Sequence, residues 1–309
     1  MMIRTARPDE IPDLYSTGDA KRNADTAASL TRLLDVGCVK PEWCFLAESH
    51  GRVAGSVVLW TRPGHDTPTD FVLLDTDWER SPEIGQALLD HALAVAGDLG
   101  ADALGHVVDV PNAAPQRRTH LRIQHELLTR NGFTVTRDGR RWEWRAGDPI
   151  LETDDRLTWH NLAELGAEPF LTLLTELLAD TQDSLLQAEV DKFGLRGAAE
   201  EIWKDCLDME HEDTWFELGF DADGTAAAVS LPSRNPTVAV IGFVGVSPRH
   251  RGKGYSASVV VRGTRILTGA GAEVIRGDCD TANLAMIRGF ERAGYRNFAN
   301  RKEYSKQFN

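Results

Sequence analysis

The spacing of apolar and polar residues predicts alternating strands and helices along both halves of the chain. In the second half, the unbroken apolar run 238–246 predicts a buried strand, which Ser247 and Pro248 interrupt. A helical pattern follows from 255 to 267, and a second helical pattern ends at Gly294. A strand, a short turn and a helix are therefore expected between residues 238 and 267.

The turn between this strand and this helix has the composition of an anion-binding loop. Its residues 249–254 read Arg-His-Arg-Gly-Lys-Gly, with cations at Arg249, Arg251 and Lys253. Glycine adopts positive φ without strain, and the free N–H groups at a helix start attract negative charge. We therefore predict that this turn binds a phosphate or a pyrophosphate.

Three segments around the turn follow one another with a characteristic order and spacing. They are Val244-Gly245-Val246-Ser247-Pro248, then Arg249-x-x-Gly252-x-Gly254, then Asn283-x-x-Met286-x-x-x-Phe290-x-x-x-Gly294-Tyr295. This pattern resembles the GNAT superfamily of acyl-CoA-dependent N-acyltransferases. The resemblance implies that acetyl-CoA binds as cosubstrate in a V-shaped gap between two parallel strands.

The resemblance also implies which residues bind CoA. The central strand pairs with the pantetheine arm, the N–H of Val244 is the candidate donor to the thioester oxygen, and the turn wraps the pyrophosphate. Arg249 and Arg251 either reach the 3′-phosphate or stay solvated. Asn283 bonds the pantetheine, caps its helix, or does both. The expected cofactor-binding set is Val244, Gly245, Val246, Arg249, Arg251, Gly252, Lys253, Gly254, Tyr255, Ser256 and Asn283.

The implied reaction is direct transfer of an acetyl group from CoA to a small amine, and a base or a water chain must take the amine's proton. Position does not mark the acid or the base. Many members of the superfamily have Tyr seven residues after the Asn, where this chain has Phe290, and some have Glu early in the central strand, where this chain is apolar. Tyr255, Glu217 and Tyr304 are weak candidates, so we expect proximity and the oxyanion donor to contribute most of the catalysis.

The first half shows a similar order of elements, which suggests an internal duplication. We predict an α/β fold of two tandem GNAT-like domains, each a twisted mixed β-sheet flanked by helices. The domains are expected at 1–146 and 150–309, joined by a short linker that contains Gly and Pro. The first is expected to end in a hairpin of strands 133–136 and 141–145 around the Asp-Gly pair at 138–139.

The first half is expected not to bind CoA, so its domain is predicted to be degenerate. Aligned at the predicted helix start, Gly85 and Ala87 correspond to Gly252 and Gly254, and the three cations of the second turn have no counterpart. Three carboxylates lie between 77 and 83 instead, and they would repel a pyrophosphate.

The distribution of charge fits a cofactor and an acceptor of opposite sign. The net charge of −13 argues against a nucleic-acid partner. Residues 150–224 contain 20 Asp and Glu against 4 Lys and Arg, whereas residues 225–309 contain 5 against 13. The basic segment suits polyanionic CoA and the acidic segment suits a cationic acceptor, although a solvated face of charged helices is the other explanation of the acidic segment.

Other sequence features indicate a cytoplasmic protein. The chain has no run of 18 apolar residues, no apolar signal core at its N-terminus and no Cys-x-x-Cys among its four cysteines, so we expect neither a membrane partner nor a metal. A monomer and a homodimer both fit the sequence. Two alternative functions are a non-catalytic CoA-binding sensor or scaffold, and an acyltransferase similar to mycothiol synthase with another acceptor.

Overall fold

The chain folds into two compact units. The computed structural model describes residues 1–110, 120–152, 154–235 and 237–308. Unit 1 comprises Met1–Thr136 with Arg301–Asn309, and unit 2 comprises Arg137–Asn300. Two strands, Thr134–Arg145 and Arg296–Gln307, each contribute residues to both units. The compact units therefore differ from the predicted domains 1–146 and 150–309, and those domain boundaries remain a prediction.

Unit 1 contains a mixed sheet with helices packed against it. Its strands follow the order β1-β2-β3-β4-β5, all antiparallel neighbours except the parallel pair β4 and β5. Alternate residues of β2 face different cores, because side chains along a strand point to opposite faces: Phe45 belongs to the core with α2 and α3, and Leu46 to the core with α1. The elements are β1 (Met2–Thr5), α1 (Ala20–Asp35), β2 (Cys44–Ser49), β3 (Arg52–Trp60), β4 (Asp70–Thr76), α2 (Pro82–Asp98), β5 (Ala103–Val110) and α3 (Leu121–Arg130).

Unit 2 has a sheet between two layers of helices. Its elements are β6 (Thr134–Arg145), β7 (Thr158–Asn161), α4 (Leu162–Leu165), α5 (Ala167–Leu178), α6 (Ser184–Leu207), β8 (Glu217–Phe220), β9 (Ala226–Arg234), β10 (Ala239–Val246), α7 (Tyr255–Gly269), β11 (Val274–Asp280), α8 (Leu284–Arg292) and β12 (Arg296–Gln307). The strand order is β6-β11-β10-β9-β8-β7, with β10 and β11 parallel. Helices α7 and α8 cover one face, and α5 and α6 cover the other. The prediction of a mixed sheet flanked by helices is confirmed.

The predicted hairpin around 138–139 is wrong. Strand β6 runs without interruption from Thr134 to Arg145, and Gly139 lies opposite Asp280 of β11. The N–H of Thr281 donates to the carbonyl of Asp138 at 2.9 Å. Pairing with β11 therefore keeps the Asp-Gly segment extended, although its local preference is for a turn.

Each unit has a β-bulge in the strand that precedes its turn and helix, which is β4 in unit 1 and β10 in unit 2. Between Val240 and Phe243, β10 advances three residues while its antiparallel neighbour β9 advances two. Between Val72 and Asp75, β4 advances three while β3 advances two, and Leu73 there has φ of 53°. An irregularity of this kind at the same place in both sheets supports the inferred duplication.

Candidate active site

A gap opens in the sheet of unit 2 where β10 and β11 separate. The two strands pair only at Ala239 with Ile275 and at Val240 with Arg276, although β10 continues to Val246. Beyond Val240 a cavity of about 330 Å³ lies between them. The bulge in β10 begins at this point, so the strand turns away from β11 as the gap starts.

Both helical layers line this cavity, so it extends through the sheet. The layer of α7 and α8 contributes Ser256, Ala285, Met286 and Phe290, and Asn283 precedes α8. The layer of α5 and α6 contributes Leu177, Leu178, Leu185 and Leu186, with Thr181, Gln182 and Asp183 from the loop between them. The strands supply Ile241, Gly242, Phe243, Val244, Gly245, Val246, Asp278 and Cys279, and Arg137 and Arg251 complete the lining. Residues of both helical layers therefore bound the same cavity.

The turn at the end of β10 has the open backbone that the sequence predicts. Gly252 and Gly254 have φ of 78° and 87°, and α7 begins directly after them at Tyr255. A Cβ atom added to either glycine would have no atom within 4 Å. The first N–H groups of α7 therefore follow an open, left-handed turn, which is an arrangement that binds phosphate.

Two of the three cations on the turn are available to a ligand. Arg249 and Lys253 are exposed, and neither has an ion-pair partner among the described residues. Arg251 instead donates to the carboxylate of Asp180 at 2.5 Å and to its carbonyl at 3.1 Å. The turn is thus electropositive, with one of its cations held by the loop after α5.

The segment before β7 holds the turn in place. Arg156 donates to the carbonyl of Lys253 at 2.9 Å, and its guanidinium carbon lies 4.7 Å from the centre of the Tyr255 ring. Asp154 accepts from Arg156 and from the hydroxyl of Ser258, and the hydrogen bonds from Arg156 are the main reason why the pKa of Asp154 falls to about 2. An ionised Asp154 therefore anchors both Arg156 and the first turn of α7.

The cavity includes six residues of the expected cofactor-binding set, which are Val244, Gly245, Val246, Arg251, Ser256 and Asn283. Of the other five, Arg249, Gly252, Lys253 and Gly254 lie on the turn and Tyr255 begins α7, all outside the cavity lining. Asn283 accepts from the N–H of Met286 at 3.1 Å, so it caps α8 as well as lining the cavity. CoA contacts remain a prediction for all eleven residues.

The weak catalytic candidates have other partners, and none of them lines the cavity. Tyr255 is buried at the start of α7. Glu217 is buried in β8, where Arg262 donates to both of its carboxylate oxygens at 2.5 and 2.7 Å. Tyr304 belongs to unit 1, and its hydroxyl lies 3.0 Å from Nδ1 of His125.

Three charged residues line the cavity although no sequence motif predicts them there: Arg137, Asp183 and Asp278. Arg137 donates to Asp183 at 2.9 Å, and Arg141 donates to Asp278 at 3.3 Å. Asp183 also caps α6 by accepting from the N–H of Leu185 at 3.0 Å. An Asp before an apolar helix marks a helix start, but nothing local shows that it faces a cavity.

The corresponding turn of unit 1 lacks the features of an anion site. Helix α2 begins at Pro82, so the predicted alignment of Gly85 with Gly252 is wrong, and only five residues separate strand from helix, against eight in unit 2. Trp78 packs on the helix so closely that a Cβ at Gly85 would lie 2.4 Å from its ring. Its indole N–H donates to Asp75 at 3.1 Å, and Asp75 pairs with Arg22. Side chains therefore fill the place that is open in unit 2.

Comparison with known proteins agrees with this geometry. Residues 177–295 match the model of the Acetyltransferase (GNAT) family. A GCN5-related N-acetyltransferase from Sphaerobacter thermophilus has a similar structure, with a TM-score of 0.62, 15% identity and coverage of 99% of this chain and 95% of that chain. A tandem GNAT protein from the clavulanic acid biosynthesis pathway matches with a TM-score of 0.50, 15% identity and coverage of 99% and 98%. A GCN5-related N-acetyltransferase from Kribbella flavida matches with a TM-score of 0.50, 14% identity and coverage of 95% and 98%. A comparison with curated proteins gave no match.

These findings define the class of the protein. The chain has the fold of tandem GNAT proteins, and its residues 177–295 match the GNAT acetyltransferase family. The resemblance stated from the sequence is thereby confirmed. Among the described residues, no group of three or more His, Cys, Asp or Glu is placed to hold a metal ion, and no helix is long and apolar enough to cross a bilayer.

Proposed function

We propose that unit 2 transfers an acetyl group from acetyl-CoA to a small primary amine. The observation that carries the proposal is the cavity through the sheet, with the electropositive turn and the β10 backbone on one side and the α5–α6 layer on the other. Such a cavity brings a thioester and a nucleophile together from opposite faces. Holding the two reactants in this way supplies much of the rate enhancement in direct acyl transfer.

CoA fits the side of the cavity next to α7 and α8. The turn with Gly252 and Gly254 holds the pyrophosphate, and Arg249 and Lys253 add positive charge around it. Along the gap, β11 no longer pairs with β10 beyond Val240, so backbone groups of β10 are available to the pantetheine. A backbone N–H fixed in this strand is a preorganised donor for the oxyanion of the tetrahedral intermediate.

The acceptor reaches the cavity from the side of α5 and α6. The volume of about 330 Å³ is near the lower end of the range for ligand pockets, and the tip of the pantetheine takes part of it. Four leucines line this side together with polar residues of the loop between α5 and α6, and the limited volume suits a small acceptor. The excess of carboxylates in residues 150–224 attracts a cationic amine towards this face.

A thiol-release assay with acetyl-CoA and a panel of small amines tests the proposal. Release of free CoA that depends on the amine, with an N-acetylated product in the mass spectrum, is the expected result. Isothermal titration with CoA runs in parallel. Binding of CoA without turnover on any amine would favour the alternative of a sensor or scaffold, which Phe290 supports because it replaces the hydroxyl group found in many family members. Turnover only with other acyl groups or larger acceptors would favour an acyltransferase similar to mycothiol synthase.

A further inference from the structure

Strand β11 presents different chemistry to its two faces. The Cβ position of Gly277 lies against the ring of Phe290 in α8, and Cys279 belongs to the core of α7 and α8. Because side chains alternate along a strand, Asp278 and Asp280 face the opposite layer, and Asp280 indeed accepts from the hydroxyl of Ser184 at the start of α6 at 2.7 Å. Asp278 therefore lines the cavity from the α5–α6 side, which is the side assigned above to the acceptor.

Two carboxylates line the cavity, and their surroundings differ. Asp183 accepts from two backbone N–H groups of α6 and from Arg137, and only 13% of its side chain is exposed, so its oxygens are engaged by the fold. Asp278 accepts from Nε of Arg141 at 3.3 Å, and 30% of its side chain is exposed. Of these two carboxylates, Asp278 is the more exposed to an incoming amine.

We propose that Asp278 is the group that takes the proton from the acceptor amine, an inference that rests on the proposed function. The amine nitrogen forms a bond to the acyl carbon, and its proton passes to the carboxylate of Asp278. The carbon–sulfur bond then breaks, the electron pair remains on the CoA sulfur, and the thiolate takes a proton from solvent. Attack makes the nitrogen cationic and its proton acidic, so a carboxylate is a sufficient acceptor at this stage.

The test compares Asp278→Ala and Asp278→Asn with the full-length wild-type chain in the thiol-release assay. A positioned base contributes about 100-fold or more, so kcat is expected to fall by at least that factor in both variants, while the Kd of CoA stays within about twofold. Added formate should restore part of the activity of Asp278→Ala, in proportion to its concentration, because it can occupy the space of the missing carboxylate. Glu168→Gln is the matched control, since Glu168 is an exposed carboxylate paired with Arg196 on the surface of the same unit.

Three outcomes overturn the inference. Either variant could keep kcat within threefold of the wild type, the isosteric Asn variant could lose CoA affinity, or Asp278→Ala could lose activity without response to formate. If the wild-type chain acetylates no amine, the proposed function itself fails, and the assignment of Asp278 fails with it. Turnover by the wild type together with an active Asp278→Asn variant removes only the inference about the base.

Discussion

Substitution of Gly252 measures how much CoA binding depends on the conformation of the turn. Gly252 has φ of 78°, and a Cβ there would meet no atom within 4 Å, so alanine adds backbone strain without a steric clash. The left-handed conformation costs a residue other than glycine about 1–2 kcal/mol. Without CoA the exposed turn can relax to another conformation, so the strain is imposed only when CoA binds. Gly252→Ala should therefore raise the Kd of CoA by about 5- to 30-fold.

Gly252→Asp adds electrostatic repulsion to the same strain. A carboxylate about 4 Å from one phosphate charge costs roughly 1 kcal/mol in water and roughly 4 kcal/mol at an effective dielectric constant of 20. Together with the strain, the expected loss exceeds about 2 kcal/mol, which is more than about 30-fold in Kd. The unfolding temperature should change little, because the substituted side chain points into open space.

Gly271 provides the matched control for both variants. It has φ of 84°, no atom lies within 4 Å of its Cβ position, and it follows α7 at the end remote in sequence from the turn. Gly271→Ala therefore introduces the same kind of strain without touching the anion site. Isothermal titration with CoA and thermal unfolding should separate the two positions. Wild-type affinity in Gly252→Asp, or an equal loss of affinity in Gly271→Ala, would refute the assignment of the turn.

Three further predictions follow from the described contacts. Titration should give one CoA per chain, because the turn of unit 1 is short and filled; a stoichiometry of two would contradict the degeneracy of that unit. Asp180→Ala should tighten CoA binding, by at most about fivefold for an exposed ion pair, since it releases Arg251; an unchanged Kd would mean that Arg251 does not contact the phosphates. Burial raises the pKa of Cys279 to about 11, so roughly one thiol in a thousand is ionised at pH 8 and its labelling should be slow there. All four cysteines are buried, and a thiol reagent should therefore find none of them at pH 8 until guanidinium unfolds the chain; fast labelling of the native protein would contradict this.

Local sequence signals predicted the central part of unit 2 well. The strand expected at 238–246 is Ala239–Val246, and the helix expected at 255–267 is Tyr255–Gly269. The signals behind these predictions are local: an apolar run, a break at Ser247 and Pro248, and glycines before the helix. Each acts over a few residues, so the sequence alone indicates where the strand and the helix begin and end. The separation of β10 from β11 did not follow from such signals, and only the resemblance to a known fold implied it.

Long-range pairing explains where the sequence was misleading. The Asp-Gly pair at 138–139 favours a turn, but β11, more than 130 residues later, offers it a partner strand and keeps it extended. In unit 1, α2 begins at Pro82, because proline is well suited to the first position of a helix. Gly85 therefore lies inside its helix, whereas Gly252 lies before the start of α7, and the predicted alignment of the two glycines fails.

The charged residues of the cavity illustrate a further limit of the sequence. Arg137, Asp183 and Asp278 come from a strand, a helix start and another strand, and no motif or period joins them. Glu217 and Tyr304 are residue types suited to acid–base chemistry, but each has a partner outside the cavity. The sequence shows which side chains could act as acids or bases. Only the fold of the sheet determines which of them lie together at one cavity.

The two faces of the sheet in unit 2 also account for the uneven distribution of charge along the chain. Residues 225–309 include the turn, α7 and α8, which form the proposed cofactor side, and they are basic. Residues 150–224 include α5 and α6, which form the proposed acceptor side, and they are acidic. Between these layers the cavity is lined mainly by apolar side chains, and such surroundings favour the neutral form of an amine over its cation. If the proposed function holds, the acidic face attracts the cationic amine, the apolar lining favours its neutral, nucleophilic form, and Asp278 takes the proton that attack on the thioester makes acidic.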